Sequence, residues 1–128
     1  MKTILFVCEH GSAKSVVAAA HFNRLAQARH LNVRAVSRAI IPDAELHPAA
    51  VRGLEQDNLT YPNVAPQSLT QPDLNTAARV IAFCELPPGL TLTSSAQTWT
   101  VPPISVDYQA SRDAIVSHLE RLFADPSL

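Results

Sequence analysis

Two cysteines, Cys8 and Cys84, are all that the 128 residues contain. No signal-peptide pattern goes with them, because Ile4–Val7 is too short an apolar core and Glu9 interrupts it. Cysteines without a secretion signal are expected in a reducing cytoplasm, where they are reactive or buried more often than bridged. No apolar run approaches the roughly 20 residues that span a bilayer, which argues against a membrane protein. Blocks of one charge are missing too. Ten Lys and Arg stand against eleven Asp and Glu for a net charge of −1, so neither a nucleic-acid stripe nor a charged tail is expected. Repeats, low-complexity segments and linkers are absent, and residues 1–128 read as a single domain. His21, His30, His47 and His118 have no metal-ligand spacing with one another or with either cysteine. They are expected at the surface or at caps, with no metal.

What the sequence does have is concentrated in Thr3–Ser15, TILFVCEHGSAKS. Thr3–Val7 is short, almost wholly apolar and rich in β-branched residues, which suits a strand buried on both faces of a parallel sheet. Cys8, a turn containing Gly11, and Lys14-Ser15 lead from it into a long Ala/Val-rich helical stretch. A strand feeding a tight loop and a helix N-terminus makes an anion nest: backbone N–H groups converge where the helix dipole is positive. Cys8 at its mouth should stand as a thiolate nucleophile. The stretch Cys8–Lys14 therefore reads as an oxyanion-binding cysteine loop, with Glu9, His10, Gly11, Ser12, Ala13 and Lys14 around the anion. His10 could hold the thiolate as an imidazolium or point to solvent. Glu9 should face outward, since its charge would repel an oxyanion.

Farther along, a helix is expected from Ala13 to about His30. Val16, Val17, Ala20 and Leu25 should face the sheet, and Asn23, Arg24, Gln27 and Arg29 solvent. Val33–Ser37 alternates like a second, more exposed strand. Pro42-Asp43 breaks the chain, and His47-Pro48 opens a short helix to about Gln56. Tyr61–Pro66 should be irregular, and Thr70–Asp73 looks like a short helix start. Arg79–Cys84 is another buried parallel strand, and Gln97–Val101 a fourth, stopped by Pro102-Pro103. Ser105 or Asp107 should cap a last helix in which Tyr108, Ile115, Leu119, Leu122 and Phe123 share a face. Strands separated by helices make an α/β doubly wound domain with about four parallel strands.

Cys84, like Cys8, ends an apolar strand. In a parallel sheet both ends lie on the carboxyl edge, where ligands bind. If the two strands are neighbours, about 4.8 Å apart, a disulfide needs little backbone movement. The plainer reading of Cys84 is a small buried hydrophobe.

The order strand, Cys8, five residues, basic residue, Ser15, helix resembles the low-molecular-weight tyrosine phosphatases and the arsenate reductases of the same fold, whose motif is Cys-X5-Arg-Ser. Their usual Asn is Gly11 here, which meets the need for a left-handed backbone without steric cost. Their Arg is Lys14, a point charge in place of a planar clamp. The resemblance covers nearly the whole chain. It implies strand order 2-1-3-4 with helices on both faces, and Ser15 as a hydrogen-bond donor to the thiolate. It also implies that Cys84 resolves the arsenylated nucleophile. The family's third cysteine has no counterpart, since Leu86–Thr91 offers none. An outside thiol (thioredoxin, glutaredoxin or a small thiol) is then the implied reductant, with no bound cofactor. The family's phosphatases place an Asp-Pro pair before the last helix, but Trp99–Pro103 reads WTVPP, and Pro102 cannot transfer a proton. Asp107, nearby, is more simply a helix cap.

The expected function is thiol-dependent reduction of arsenate to arsenite, an arsenic-resistance activity, with Cys8, Cys84, Lys14 and Ser15 catalytic. Arsenate, phosphate and sulfate are the expected anions, and weak phosphatase activity is compatible with the loop. Two alternatives stay open: a low-molecular-weight tyrosine phosphatase, and a non-catalytic oxyanion-binding or redox-sensing module. Cys84 and the lack of paired Tyr or Trp to stack a phosphotyrosine favour the first reading.

Overall fold

The computed structural model describes residues 1–128. In chain order the elements are β1 (Lys2–Cys8), α1 (Lys14–Ala28), β2 (Val33–Ala39), α2 (Pro48–Gln56), α3 (Gln71–Thr76), β3 (Arg79–Ala82), β4 (Ala96–Thr98) and α4 (Tyr108–Phe123). All four strands run parallel in the order β2-β1-β3-β4. This is the doubly wound α/β sheet and strand order expected. The central position of β1 explains its composition, since Ile4, Leu5, Phe6 and Val7 are completely buried and have neighbours on both faces.

The two faces are covered unequally. Ile4, Phe6 and Ile81 join a large core with α1, α2 and α4, to which Phe22, Leu54, Ile115 and Leu119 contribute fully buried side chains. On the other face Leu5, Val7, Val80 and Ala82 pack with Leu74 and Ala77 around the short α3. Burial of one Leu or Phe side chain contributes about 1.5–3 kcal/mol, so the first face carries most of the stabilisation. Its aromatic rings interlock, with Phe6 6.0 Å from Phe22 and 5.8 Å from Trp99 between ring centroids.

Several boundaries differ from the sequence expectation. The helix expected over 13–30 runs 14–28, and β2 extends two residues past Ser37 to Ala39. β3 stops at Ala82. The apolar character of the next residue comes from packing, because Phe83 stacks 6.4 Å from Phe6 and sits edge-on to Trp99 at 6.0 Å. One ladder bond continues beyond, from Phe83 N–H to the Val7 carbonyl at 2.8 Å, and Cys84 lies in the bend that follows. Similarly β4 is shorter than 97–101, while Trp99 and Val101 are buried as anchors outside the strand. Asn23 does not face solvent freely. Its amide accepts from Ala35 N–H at 2.8 Å and donates to the Ala35 carbonyl at 3.1 Å, which closes part of the open edge of β2. His21, expected at the surface, is buried, because α2 and α4 cover the flank of α1 on which it stands. His118 stacks on Trp99 at 4.7 Å, and His47 caps α2, its Nδ1 accepting from Ala49 N–H.

Candidate active site

The oxyanion loop is built by the order in which its backbone groups are used. The carbonyls of Cys8, Glu9, His10 and Ser12 accept hydrogen bonds from Ile40, Ile41, Asp43 and His47, at 3.2, 2.7, 3.1 and 2.9 Å. All peptide bonds are trans. In a trans peptide each N–H points opposite to the preceding carbonyl. The N–H groups of Glu9, His10, Gly11 and Ala13 are therefore aimed away from the 40–47 segment. None of the N–H groups from Glu9 to Ser15 donates to an acceptor within the protein. A row of unspent donors running into the N-terminus of α1 has the arrangement that suits an anion.

Gly11 allows the turn for two reasons. Its φ is +64°, and a Cβ there would lie 2.5 Å from the Cβ of Ala39. The loop is thus pressed against the end of β2, and Gly in place of the expected Asn follows from that contact.

Cys8 closes β1 beneath this loop, almost wholly buried. Its Sγ is 2.9 Å from Ser15 Oγ, and Ser15 Oγ is 2.7 Å from Ser37 Oγ. A hydroxyl that accepts from Ser37 keeps its own proton for the sulfur. Ser37 was not anticipated. Its one sequence signal is alternation, since Val33, Ala35, Ser37 and Ala39 share a face of β2 and Ser37 is its one polar member.

The remaining loop side chains turn away from the thiol. Ser12 is buried and donates to Asp43 Oδ2 at 2.6 Å. His10 points to solvent, the second of its two expected roles, and on the way braces the 41–43 segment, its Nδ1 3.0 Å from the Ile41 carbonyl and 3.7 Å from Asp43 Oδ1. Glu9 is exposed, as expected. Asp43, read from the sequence only as a chain break, is a brace for the loop. Lys14 is the first residue of α1, is partly buried, and its ammonium donates to no protein acceptor.

Cys84 is half-buried and unbridged. Burial pushes its thiol pKa up, negative charge at Cys8 and Glu9 pushes it further, and Lys14 pulls it back. These influences favour the protonated thiol. Pro102 is exposed in the segment before α4, and Asp107 caps that helix, accepting from Ala110 N–H at 3.0 Å. No group of three or more His, Cys, Asp or Glu gathers as a metal-ligand set.

Solved structures of known proteins superpose on this arrangement. The low-molecular-weight protein tyrosine phosphatase from T. tengcongensis matches with a TM-score of 0.85 over 97% of this chain and 99% of its own, at 19% identity. The fold is that of the low-molecular-weight phosphatases. An arsenate reductase from Archaeoglobus fulgidus has this fold as well, with a TM-score of 0.76 over 95% of this chain and 99% of its own, at 21% identity. So does the thioredoxin-dependent arsenate reductase of Corynebacterium glutamicum, with a TM-score of 0.74 and 21% identity over 97% of this chain. The chain spans 61% of the length of that reductase. No protein-family profile and no curated protein matches the sequence. The low-molecular-weight phosphatase fold carries both chemistries, and at these identities the fold is what is shared.

Proposed function

We propose that this chain is an enzyme of the low-molecular-weight phosphatase fold that reduces arsenate to arsenite. The observation that carries the reading is Cys84 at the carboxyl edge of the sheet, two residues past the end of β3, the strand that pairs with β1 and so with Cys8. The register Val7–Ala82 between β1 and β3, continued by the Phe83–Val7 hydrogen bond, sets Cys8 next to Phe83. Cys84 follows in the bend, one residue past the level of Cys8, and the proposed disulfide needs their Cα atoms roughly 4.4–6.8 Å apart.

In the proposed cycle the Cys8 thiolate, held by Ser15 Oγ, attacks arsenic(V) in an arsenate bound by the 9–15 amides and Lys14. A sulfur–arsenic bond forms and an arsenic–oxygen bond breaks, the oxygen leaving as water after taking up a proton from solvent. Cys84 loses its proton and attacks Cys8 Sγ. The disulfide forms and the sulfur–arsenic bond breaks, its electron pair staying on arsenic, which leaves as arsenic(III). An external cytosolic dithiol or small thiol returns both cysteines to thiols and is itself oxidised to a disulfide.

A phosphatase needs a proton donor for its leaving oxygen, a contribution of typically 10²–10⁴-fold. With Pro102 at the expected position and Asp107 committed to a cap, phosphate-ester hydrolysis is the weaker reading. The test is to incubate the reduced protein with arsenate and, separately, with p-nitrophenyl phosphate. Loss of two thiols per chain with arsenate and little phenolate release supports the reductase. Rapid phenolate release with both thiols retained overturns it in favour of the hydrolase.

A further inference from the structure

Apart from the Cys8 loop, a groove of about 1040 Å³ runs along the outer edge of β2, between α1 and the 58–67 segment. Its apolar wall includes Val16, Leu46, Leu59 and Tyr61. Its charged residues are Arg24, Arg34 and Arg38, and it contains neither aspartate nor glutamate. In a chain with more acidic than basic residues that one-sided charge is local. Arg24 stands on α1, and Arg34 and Arg38 on the face of β2 away from α1, so they flank the groove from its two sides and are not equally committed. Arg38 pairs with Asp73 at 3.2 Å. Arg24 gives one N–H to the Asp57 carbonyl at 3.0 Å, and Arg34 makes no hydrogen bond or ion pair.

We propose that this groove is a second binding site, distinct from the cysteine loop, for a small organic anion with an apolar body and one acidic group. Apolar walls with a few fixed polar groups, at this size, are what small-molecule sites consist of. Guanidiniums with unspent donors select carboxylate, sulfonate or phosphate-ester oxygens. An extended peptide adding to the sheet is a poorer fit, because the edge is already used. Asn23 occupies both backbone groups of Ala35, and Ala39 donates to Gln67 and accepts from Leu69 at 2.8 Å each. What remains is depth and charge, which suit a compact ligand.

The site lies behind the oxyanion loop. Gly11 and Ser37 both line it, yet Cys8 and Lys14 do not, so anions for the two sites can be told apart.

The test uses 8-anilinonaphthalene-1-sulfonate and its neutral analogue N-phenyl-1-naphthylamine as fluorescent probes on the reduced, folded protein. The sulfonate should bind one per chain, and the neutral dye at least about tenfold more weakly. Arg24→Gln with Arg34→Gln, both at exposed positions, should weaken the sulfonate about tenfold and leave the neutral dye unchanged. Decanoate and decyl phosphate should each displace it, and their ratio tells which acidic group the site prefers. Saturating inorganic phosphate, which fits the Cys8 loop, should leave the probe bound. Displacement by inorganic phosphate, equal binding of the two dyes, or undiminished sulfonate affinity in the double variant would each overturn the proposal.

Discussion

At the scale of single residues the loop depends on one glycine and one hydroxyl. Gly11 combines a left-handed backbone with a contact on Ala39 that leaves no room for a Cβ. A left-handed L-residue costs about 1–2 kcal/mol before the clash is counted. Gly11→Ala should therefore lower the unfolding free energy in urea by at least that amount, and sulfate should no longer protect Cys8 from alkylation. Ser15 sits between Cys8 and Ser37 at 2.9 and 2.7 Å. A hydrogen bond to a charged group contributes about 1.5–3 kcal/mol, so Ser15→Ala should reduce the rate of Cys8 adduct formation about 10- to 100-fold. Ser37→Ala should cost less, since it only orients the Ser15 hydroxyl. Equal rates for all three proteins in a stopped thiol-loss assay would remove Ser15 from the mechanism. The placement of Cys8, Lys14 and Ser15 was legible in the sequence because they lie within one strand–loop–helix stretch. Ser37 and Asp43 were not. Their partners are Ser15, 22 positions away, and Ser12, 31 away, and the parallel crossover that joins them leaves no local pattern.

At the scale of elements, strands and helices were legible where periodicity ran on and blurred where tertiary contact replaced it. The β1 apolar run, the Pro48 start of α2 and the Asp107 cap of α4 are local signals and stand where expected. The ends of β3 and β4 were misjudged because Phe83 and Trp99 are apolar for the sake of each other. The junction of α1, α2 and α4 was invisible for the same reason, its members being scattered along the chain. Asp57, at the end of α2, accepts from Tyr108 Oη and Arg112 Nη1, both at 2.8 Å, and stands 3.6 Å from His21 Nε2. Tyr108→Phe leaves a carboxylate oxygen short of a donor and should destabilise the fold by about 1–3 kcal/mol, read as a shift in the urea midpoint. Burial holds the His21 pKa below its ordinary value. Asp57 partly offsets this, and Arg112 and Arg24 reinforce it. The unfolded chain takes a proton near pH 6.5 that the folded chain resists. Stability should therefore be full above that pH and fall as pH drops below it. His118, lowered by burial and Arg121, acts in the same direction. His21→Leu should flatten the melting temperature between pH 7.5 and 5.5 without removing the His118 share. An unchanged slope would mean that His21 does not sense pH.

At the scale of the whole molecule, the fold brings Cys8 and Cys84, 76 residues apart in sequence, to one edge of the sheet, and the proposed chemistry depends on that meeting. The edge was legible, because parallel strands put all their carboxyl ends on one side. That Cys84 would sit past the strand in a bend was not, since the bend is set by the aromatic packing of Phe83. The consequence is testable through both cysteines at once. After one turnover with arsenate, or after mild oxidation, digestion should release a Cys8–Cys84 cross-linked peptide from monomeric protein. Its formation should speed up as pH rises beyond neutrality. Burial and the charge at Cys8 hold the Cys84 thiol protonated above its ordinary range, so the attacking thiolate becomes more abundant with every added hydroxide. Cys84→Ser should abolish arsenite release while sulfate still protects Cys8. If Cys84 serves packing alone, the serine variant loses some stability to a poorly bonded hydroxyl, yet releases arsenite at the same rate per folded molecule. Undiminished arsenite release in Cys84→Ser would end the two-cysteine cycle, and an external thiol would have to attack the Cys8 adduct directly.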